Sequence, residues 1–292
     1  MTEVREFTPE TLDEAAALLL ASDSAVCPSP EGTTLVGQAR DDDRTYTIVL
    51  HLERLSELNR MEYDERSGLR IGAAVPYATL LEFPPVRRLY PILADGCAAI
   101  LRGKRPDHAT PGGSLSAQPL SLDLGLPLSC LRATTAILGP HGWSEMAVEA
   151  LVAASGKPSI QPGEFTVDVR LPAPVPRSSG AYLRSTCEGD GLPGGAAVGT
   201  FLIMEEDLTT CCGLRLFLSF PPEAPRRVPE VERFLGGRRL DEAVLEEAGL
   251  SAARSAMRHG AGSGEALCQR AARLIRHTIL EALTRIRAAD LL

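Results

Sequence analysis

Rings are scarce in this chain. Phe, Tyr and Trp together make up 4% of its 292 residues, with a single tryptophan, Trp143, so the packing must rest on Ala, Leu and Val. A surplus of positive charge is missing too. Thirty Lys and Arg face 38 Asp and Glu for a net charge of −8, with a pI near 5.3, which excludes a sequence-wide nucleic-acid surface. No window approaches the roughly 18 apolar residues of a membrane-spanning helix. The opening "MTEVREFTPE" has neither a basic region with an apolar run nor a twin-arginine signal, so the expected location is cytoplasmic.

Metal-binding spacing is equally absent. The seven cysteines, Cys27, Cys97, Cys130, Cys187, Cys211, Cys212 and Cys268, include no CxxC pair. Their spacing fits neither a zinc knuckle nor a ferredoxin-type cluster, and the expectation is small buried thiols in a reduced compartment. The five histidines, His51, His108, His141, His259 and His277, show no HxxxH, HxH or HExxH relation, so no metal site is expected. Neither GxGxxG nor GxxxxGK[ST] occurs, which removes the Rossmann and P-loop readings.

What is present suits a soluble α+β protein of about two domains. Thr8 to Ser22 reads as a capped amphipathic helix, with Thr8 or Thr11 accepting at its start and Leu12, Ala15, Ala16 and Leu19 on one face. "AVCPSPEGTTLVGQA" reads as a short apolar strand broken by prolines into a loop, and "TYTIVL" as β-rich. "MEYDERSGLRIGAA" gives strand, turn and strand, followed by a helix after Pro76 and another over Tyr90 to Leu101. Asp123 to Cys130 continues as an apolar helix, "TTAILGPHGWSEM" as a hairpin and "EFTVDVRLPAP" as a half-buried strand. Pro172 to Ser179 is the linker candidate. Beyond it lie two strands, "GGAAVGTFLIMEED" and "CCGLRLFLSF", then helices over Val228 to Leu235, Asp241 to Ala248 and Gly264 to Ala289.

Two loops have the composition of a phosphate cradle: "PEGTTL", Pro30 to Leu35, and "TPGGSL", Thr110 to Leu115. Glycine lets backbone N–H groups converge on an anion without a Cβ in the way, and Thr or Ser hydroxyls add donors. Each loop alone also reads as an ordinary turn; their joint occurrence is what favours a ligand. His108, close behind Lys104 and Arg105, adds positive charge ahead of the second loop.

In order along nearly the whole chain, these segments resemble the FAD-binding medium subunit of molybdenum hydroxylases, the family of carbon monoxide dehydrogenase and xanthine dehydrogenase. "PEGTTL" stands where that family has A-G-G-T-D-L, "LRIGAAVPYATLLE" is similar to I-G-A-x-V-T-x-A-x-L, and "TPGGSL" to T-I-G-G-N-L. "PRRVPEVERFLGGRRL" is similar to the carboxy-terminal P-x-R-A-x-x-x-E-x-x-L-x-G. The resemblance implies a two-part FAD-binding domain of the PCMH type over 1–175, with subdomains of about 1–58 and 59–175. A carboxy-terminal α+β domain over 176–292 then carries a small antiparallel sheet and helices.

It further implies that the chain passes electrons from iron–sulfur clusters on a small partner subunit to an external acceptor, while a large partner carries the molybdenum cofactor. Carried over by position, Gly32, Thr33, Thr34 and Leu35, with Thr110, Gly112, Gly113 and Ser114, contact the pyrophosphate region of FAD. Asp123 takes the ribityl hydroxyls, and Phe165 and Arg184 flank the flavin. No catalytic acid or base is implied on this chain. A free-standing flavoenzyme of the wider superfamily has no such group and no histidine in loop one for covalent attachment.

Some positions depart from the family pattern. Glu31 replaces the first glycine of loop one and Thr34 its aspartate; Pro111 and Ser114 replace the Ile and Asn of loop two. A carboxylate about 4 Å from a phosphate oxygen costs roughly 4 kcal/mol at an effective dielectric of 20, comparable to a thousandfold in affinity. These substitutions define an alternative reading, a scaffold subunit of such a complex whose flavin site is weakened or lost.

Overall fold

The computed structural model describes residues 5–21, 26–29, 48–102, 109–116, 122–153, 160–161, 163–185, 196–219, 225–258 and 265–291. Two compact units divide the chain. The first comprises Met1–Leu80, Ile100–Ser121 and Arg132–Ala173; the second comprises Leu81–Ala99, Leu122–Leu131 and Pro174–Leu292. The α+β class read from the sequence is what the chain adopts, with antiparallel sheets in both units.

The first unit opens with β1 (Arg5–Phe7), α1 (Leu12–Leu20), β2 (Val26–Ser29) and β3 (Ile48–His51). The three strands form a parallel sheet in the order β1-β3-β2. Of the two candidate caps it is Thr11 that starts α1: its hydroxyl accepts from Glu14 N at 3.1 Å, and the Glu14 carboxylate reaches back to Glu10 N at 2.8 Å. The hydroxyl thereby satisfies an open donor of the first turn, and the carboxylate ties down the residue that precedes the cap. Ala15 and Leu19 of this helix lie in one hydrophobic cluster with Val26, Ile48 and Leu50 of the sheet.

The segment expected to break into a loop at its prolines instead completes β2 through Pro28, in register with Leu50. Sheet order explains this. Among the described residues β2 is an edge strand bonded only to β3, where a residue without an N–H is tolerated.

A five-stranded antiparallel sheet follows, built from β4 (Met61–Asp64), β5 (Gly68–Gly72), β6 (Thr134–Gly139), β7 (Gly142–Ala147) and β8 (Phe165–Leu171) in the order β4-β5-β8-β6-β7. Asp64 shapes the β4–β5 turn by accepting from Arg66 N, Ser67 N and the Ser67 hydroxyl. These bonds to the ionised form hold its carboxyl below the ordinary value, the Ser67 backbone bond first among them. Gly68 then needs its φ of +94°, and a Cβ there would lie 2.1 Å from the Leu171 carbonyl oxygen. On β8 the carboxylate of Asp168, wholly buried, is bracketed by Arg70 Nη2 at 2.6 Å and Arg170 Nε at 2.9 Å. Leu138, Phe165 and Val167 of this sheet share the cluster that holds Val26 and Leu50, so the two sheets of the unit have one core.

Between β5 and β6 run α2 (Tyr77–Glu82), α3 (Pro84–Leu89), α4 (Pro91–Leu101), α5 (Pro111–Ser116) and α6 (Leu122–Cys130), and α7 (Val148–Ala153) follows β7. Of these, α3, α6 and most of α4 belong to the second unit.

That unit is organised around an antiparallel sheet of β9 (Ser178–Ser185), β10 (Ala196–Met204), β11 (Cys211–Ser219) and β12 (Arg226–Arg227), in the order β12-β11-β10-β9. The sequence reading placed Ser178 and Ser179 in a linker and did not see β9. Three helices, α8 (Pro229–Leu235), α9 (Glu242–Arg258) and α10 (Glu265–Asp290), bury Val231, Leu245, Ala252, Ile275 and Ile279 with Val198, Leu202, Leu216 and Leu218 of the sheet. Helix α9 runs ten residues beyond the expected end at Ala248. Helix α6 approaches β10 where Gly199 leaves room for it: a Cβ at Gly199 would meet Cys130 Sγ at 3.0 Å. Cys97, Cys130 and Cys211 are buried, as small apolar residues, and burial pushes the Cys97 thiol up to about 12.

One ion pair joins three elements of the second unit. Arg285 of α10 donates to both carboxylate oxygens of Asp95 in α4, at 2.8 and 3.0 Å, and to the Gly180 carbonyl at 2.8 Å. Asp95 also accepts from Tyr182 N at 3.1 Å. Deleting one partner leaves the other as a half-buried charge and one backbone group, the Gly180 carbonyl or the Tyr182 N–H, without its bond. Arg285→Met is expected to lower unfolding free energy by about 2 kcal/mol. In a denaturant titration, Asp95→Asn combined with it should cost less than the two single changes added.

Candidate cofactor site

Loop two is not an open nest. Pro111 to Ser116 closes into a six-residue helical turn, and the bonds of that turn use the donors expected to converge on an anion. Gly113 N donates to Thr110 Oγ1 at 3.2 Å, and Thr110 is thus the cap. Ser114 N donates to the Thr110 carbonyl at 3.0 Å, and Gly112 N to the Ala73 carbonyl at 2.8 Å. Pro111 has no N–H. What the loop offers a ligand is therefore side-chain hydroxyls, above all that of half-buried Ser114.

Gly112 is required for a reason other than anion contact. A Cβ there would sit 2.9 Å from the Ala73 carbonyl oxygen and 3.0 Å from the Ala73 Cβ. The turn is thereby seated directly on the backbone that leaves β5. Beneath it lies Tyr77, wholly buried, whose N–H donates to the Ala109 carbonyl at 3.1 Å. Its phenol donates to the Thr110 carbonyl at 2.9 Å, and the phenol oxygen and Ser114 Oγ share a further hydrogen bond at 2.7 Å. The sequence signal was available: in a chain poor in rings, a tyrosine following Pro76 at a helix start needs a polar partner once buried.

The anchor of loop one is fixed by the same core. Ser29 ends β2, and its carbonyl accepts from Leu52 N at 3.0 Å. Leu52 shares one cluster with Ala73 and Ala74, on which loop two rests. The Ser29 hydroxyl is completely buried and has no hydrogen-bond partner among the described residues. An orphaned hydroxyl at the carboxyl end of a parallel strand, where ligands of open sheets bind, suits a group rich in acceptor oxygens. FAD, with its pyrophosphate and ribityl chain, is such a group, and the hydroxyls of Ser29, Thr110 and Ser114 fit it. Ser29 escaped the sequence reading because the strand that carries it was read as broken.

The other expected site residues are placed as follows. Gly32, Thr33, Thr34 and Leu35, with Glu31, lie outside the described residues. Thr110, Gly112, Gly113 and Ser114 are brought together in the turn above. Phe165 begins β8 and is buried inside the hydrophobic cluster, 1% exposed. Asp123 falls in α6 and Arg184 is exposed on β9, in register with Ala197; both belong to the second unit.

Residues 2–174 match the family described as the FAD binding domain in molybdopterin dehydrogenase. The chain is 28% identical over 153 residues to the 6-hydroxypseudooxynicotine dehydrogenase complex subunit alpha of Paenarthrobacter nicotinovorans, covering 52% of this chain and 51% of that one. It is 26% identical over 146 residues to the xanthine dehydrogenase FAD-binding subunit of Escherichia coli O157:H7, covering 50% of each. The match thus spans about half the length of these curated relatives. Its fold is that of a chain in the reconstituted CO dehydrogenase from Oligotropha carboxidovorans, with a TM-score of 0.79, 21% identity, and coverage of 97% of this chain and 98% of that one.

Gly112→Ala is expected to destabilise by about 1–3 kcal/mol, because the new methyl group meets backbone rather than a side chain that can turn away. Gly213→Ala, whose Cβ would meet only Ile203 Cδ1 at 3.8 Å, serves as the near-neutral control in parallel thermal melts.

Proposed function

Since the chain belongs to the family of FAD-binding domains of molybdopterin dehydrogenases, we propose that it is the flavin subunit of a multi-subunit molybdenum hydroxylase. In this role it passes electrons from iron–sulfur clusters on a small partner to an external acceptor. A large partner holds the molybdenum cofactor and oxidises the substrate. The 1–175 region acts as the FAD-binding domain and 176–292 as its carboxy-terminal companion. Bound FAD supplies the exchange between one-electron and two-electron carriers, a chemistry no side chain of this protein provides.

The chain's own residues bind and orient. Gly32, Thr33, Thr34 and Leu35 from loop one hold the pyrophosphate region together with the hydroxyls of Thr110 and Ser114 from loop two, where Gly112 and Gly113 shape the turn rather than donate. Asp123 takes the ribityl hydroxyls and Arg184 flanks the ring system; Phe165, enclosed in the core cluster, has no surface left for it. The observation that carries this reading, beyond family membership, is the buried Ser29 hydroxyl without a partner among the described residues, at the mouth of loop one. The named relatives take different substrates, so the substrate of the complex is not carried over.

A second reading has its own support. Because the N–H groups of Gly112, Gly113 and Ser114 are engaged within the chain, the turn is complete without a ligand. A scaffold subunit with a weakened or lost flavin site is compatible with that. Acid release of flavin from the gently purified complex separates the two. Stoichiometric FAD, with flavin bands in the visible spectrum, is the expected result, and its absence from an intact complex establishes the scaffold reading. Under the flavin reading Glu31→Gly should tighten FAD by up to about a thousandfold if the carboxylate lies against phosphate, read as the midpoint of a titration of flavin-stripped protein.

A further inference from the structure

We infer that Ser114 receives a sugar hydroxyl of the cofactor rather than a phosphate oxygen. This rests on the flavin reading above and narrows it, because hydroxyl groups flank the pyrophosphate of FAD on both sides, along the ribityl chain and on the ribose. Three oxygens decide the matter. Tyr77 Oη lies 2.9 Å from the Thr110 carbonyl oxygen and 2.7 Å from Ser114 Oγ, and each of these contacts needs a proton between its two oxygens. A phenol carries one proton, a serine hydroxyl one and a carbonyl none. Both contacts are filled only when the phenol proton goes to the carbonyl and the serine proton to the phenol oxygen.

The reverse assignment fills one contact and spoils the other. With the phenol proton turned to Ser114, the phenol and carbonyl oxygens would face each other at 2.9 Å as two acceptors. Neither is free to withdraw: Tyr77 has no exposed surface and its backbone N–H is bonded to the Ala109 carbonyl at 3.1 Å, while the Thr110 carbonyl also takes Ser114 N at 3.0 Å. The sense of the Ser114 bond is therefore set by the fold.

Ser114 is half-buried, and what it presents to a ligand is an oxygen whose proton is spent and whose lone pairs are open. A phosphate oxygen is an acceptor and finds no partner there. A sugar hydroxyl brings its own proton and does. The backbone of the turn does not reverse this, since Gly112 N, Gly113 N and Ser114 N are engaged within the chain and Pro111 has no N–H. Within the pyrophosphate region, Ser114 is thus a specificity-determining acceptor for the sugar beside the phosphates.

Competition against FAD fluorescence on the flavin-stripped full chain tests this, with riboflavin, ADP and inorganic pyrophosphate as probes. Ser114→Ala is expected to weaken FAD about tenfold and to leave pyrophosphate unchanged; Ser114→Thr, which keeps the oxygen, should restore most of the binding. An equal loss for riboflavin alone puts the contact on the ribityl chain, and for ADP alone on the ribose. Pyrophosphate weakened as much as FAD overturns the inference. So do FAD affinity unchanged in Ser114→Ala, riboflavin and ADP weakened together, or Ser114→Thr binding no better than Ser114→Ala. Should Ser114→Ala not fold, Tyr77→Phe carries the test. It removes the oxygen that takes the serine proton, so pyrophosphate should bind as well as in the wild type or better, and a loss of about tenfold sinks the proposal. A wild-type chain that takes up neither FAD, riboflavin nor ADP ends the flavin reading itself, whereas FAD binding that ignores Ser114 ends only this one.

Discussion

Three consecutive small residues, Gly72, Ala73 and Ala74, set the geometry on which the first unit depends. Their N–H groups donate in turn to the carbonyls of Arg60, Val167 and Leu58. The chain is therefore bonded at successive residues to the start of β4, to β8, and to the turn that precedes β4. On the other side the Ala73 carbonyl accepts from Gly112. A Cβ at Gly72 would lie 2.2 Å from the Leu58 carbonyl oxygen. At Gly72 not even a methyl group fits among backbones that meet so closely, and loop two is located by its bond to the Ala73 carbonyl beside it.

Much of this organisation was legible in the sequence because it is local. The Thr11 cap with its glutamate three residues on, the Ser-Gly turn between β4 and β5, and the β6–β7 hairpin each carry their signal within a few residues. The features that were not legible depend on distant partners. Pro28 reads as a breaker unless one knows that β2 lies at a sheet edge. β9, "SSGAYLRS", has weak periodicity and a proline-rich approach, and its Gly180 is explained by the backbone of Thr200 and the side chain of Ile92, which a Cβ there would meet at 2.7 and 3.0 Å. "TPGGSL" reads as a nest because nothing within it discloses that Ala73 accepts from Gly112.

The same distinction holds for the site. Glycines and hydroxyls single out loop two, but their spacing suggests backbone donors, whereas the fold engages those N–H groups within the chain. Tyr77 and Ser29 matter because of what lies above or around them, a property of packing rather than of pattern. The second unit shows the corresponding economy in charged form: Asp95 takes bonds from Arg285 and Tyr182 N, so one carboxylate ties α4, α10 and β9 together.

The turn at Thr110 to Ser116 is also self-contained. Its first-turn donors are satisfied by the polypeptide, its cap is its own threonine, and its support is a core that folds with the strands. Its shape is thus complete in the polypeptide itself, with no bound group needed to close it. Over evolutionary time the same independence means that a lineage losing its flavin would keep the architecture intact, with the change confined to a few side chains at the rim.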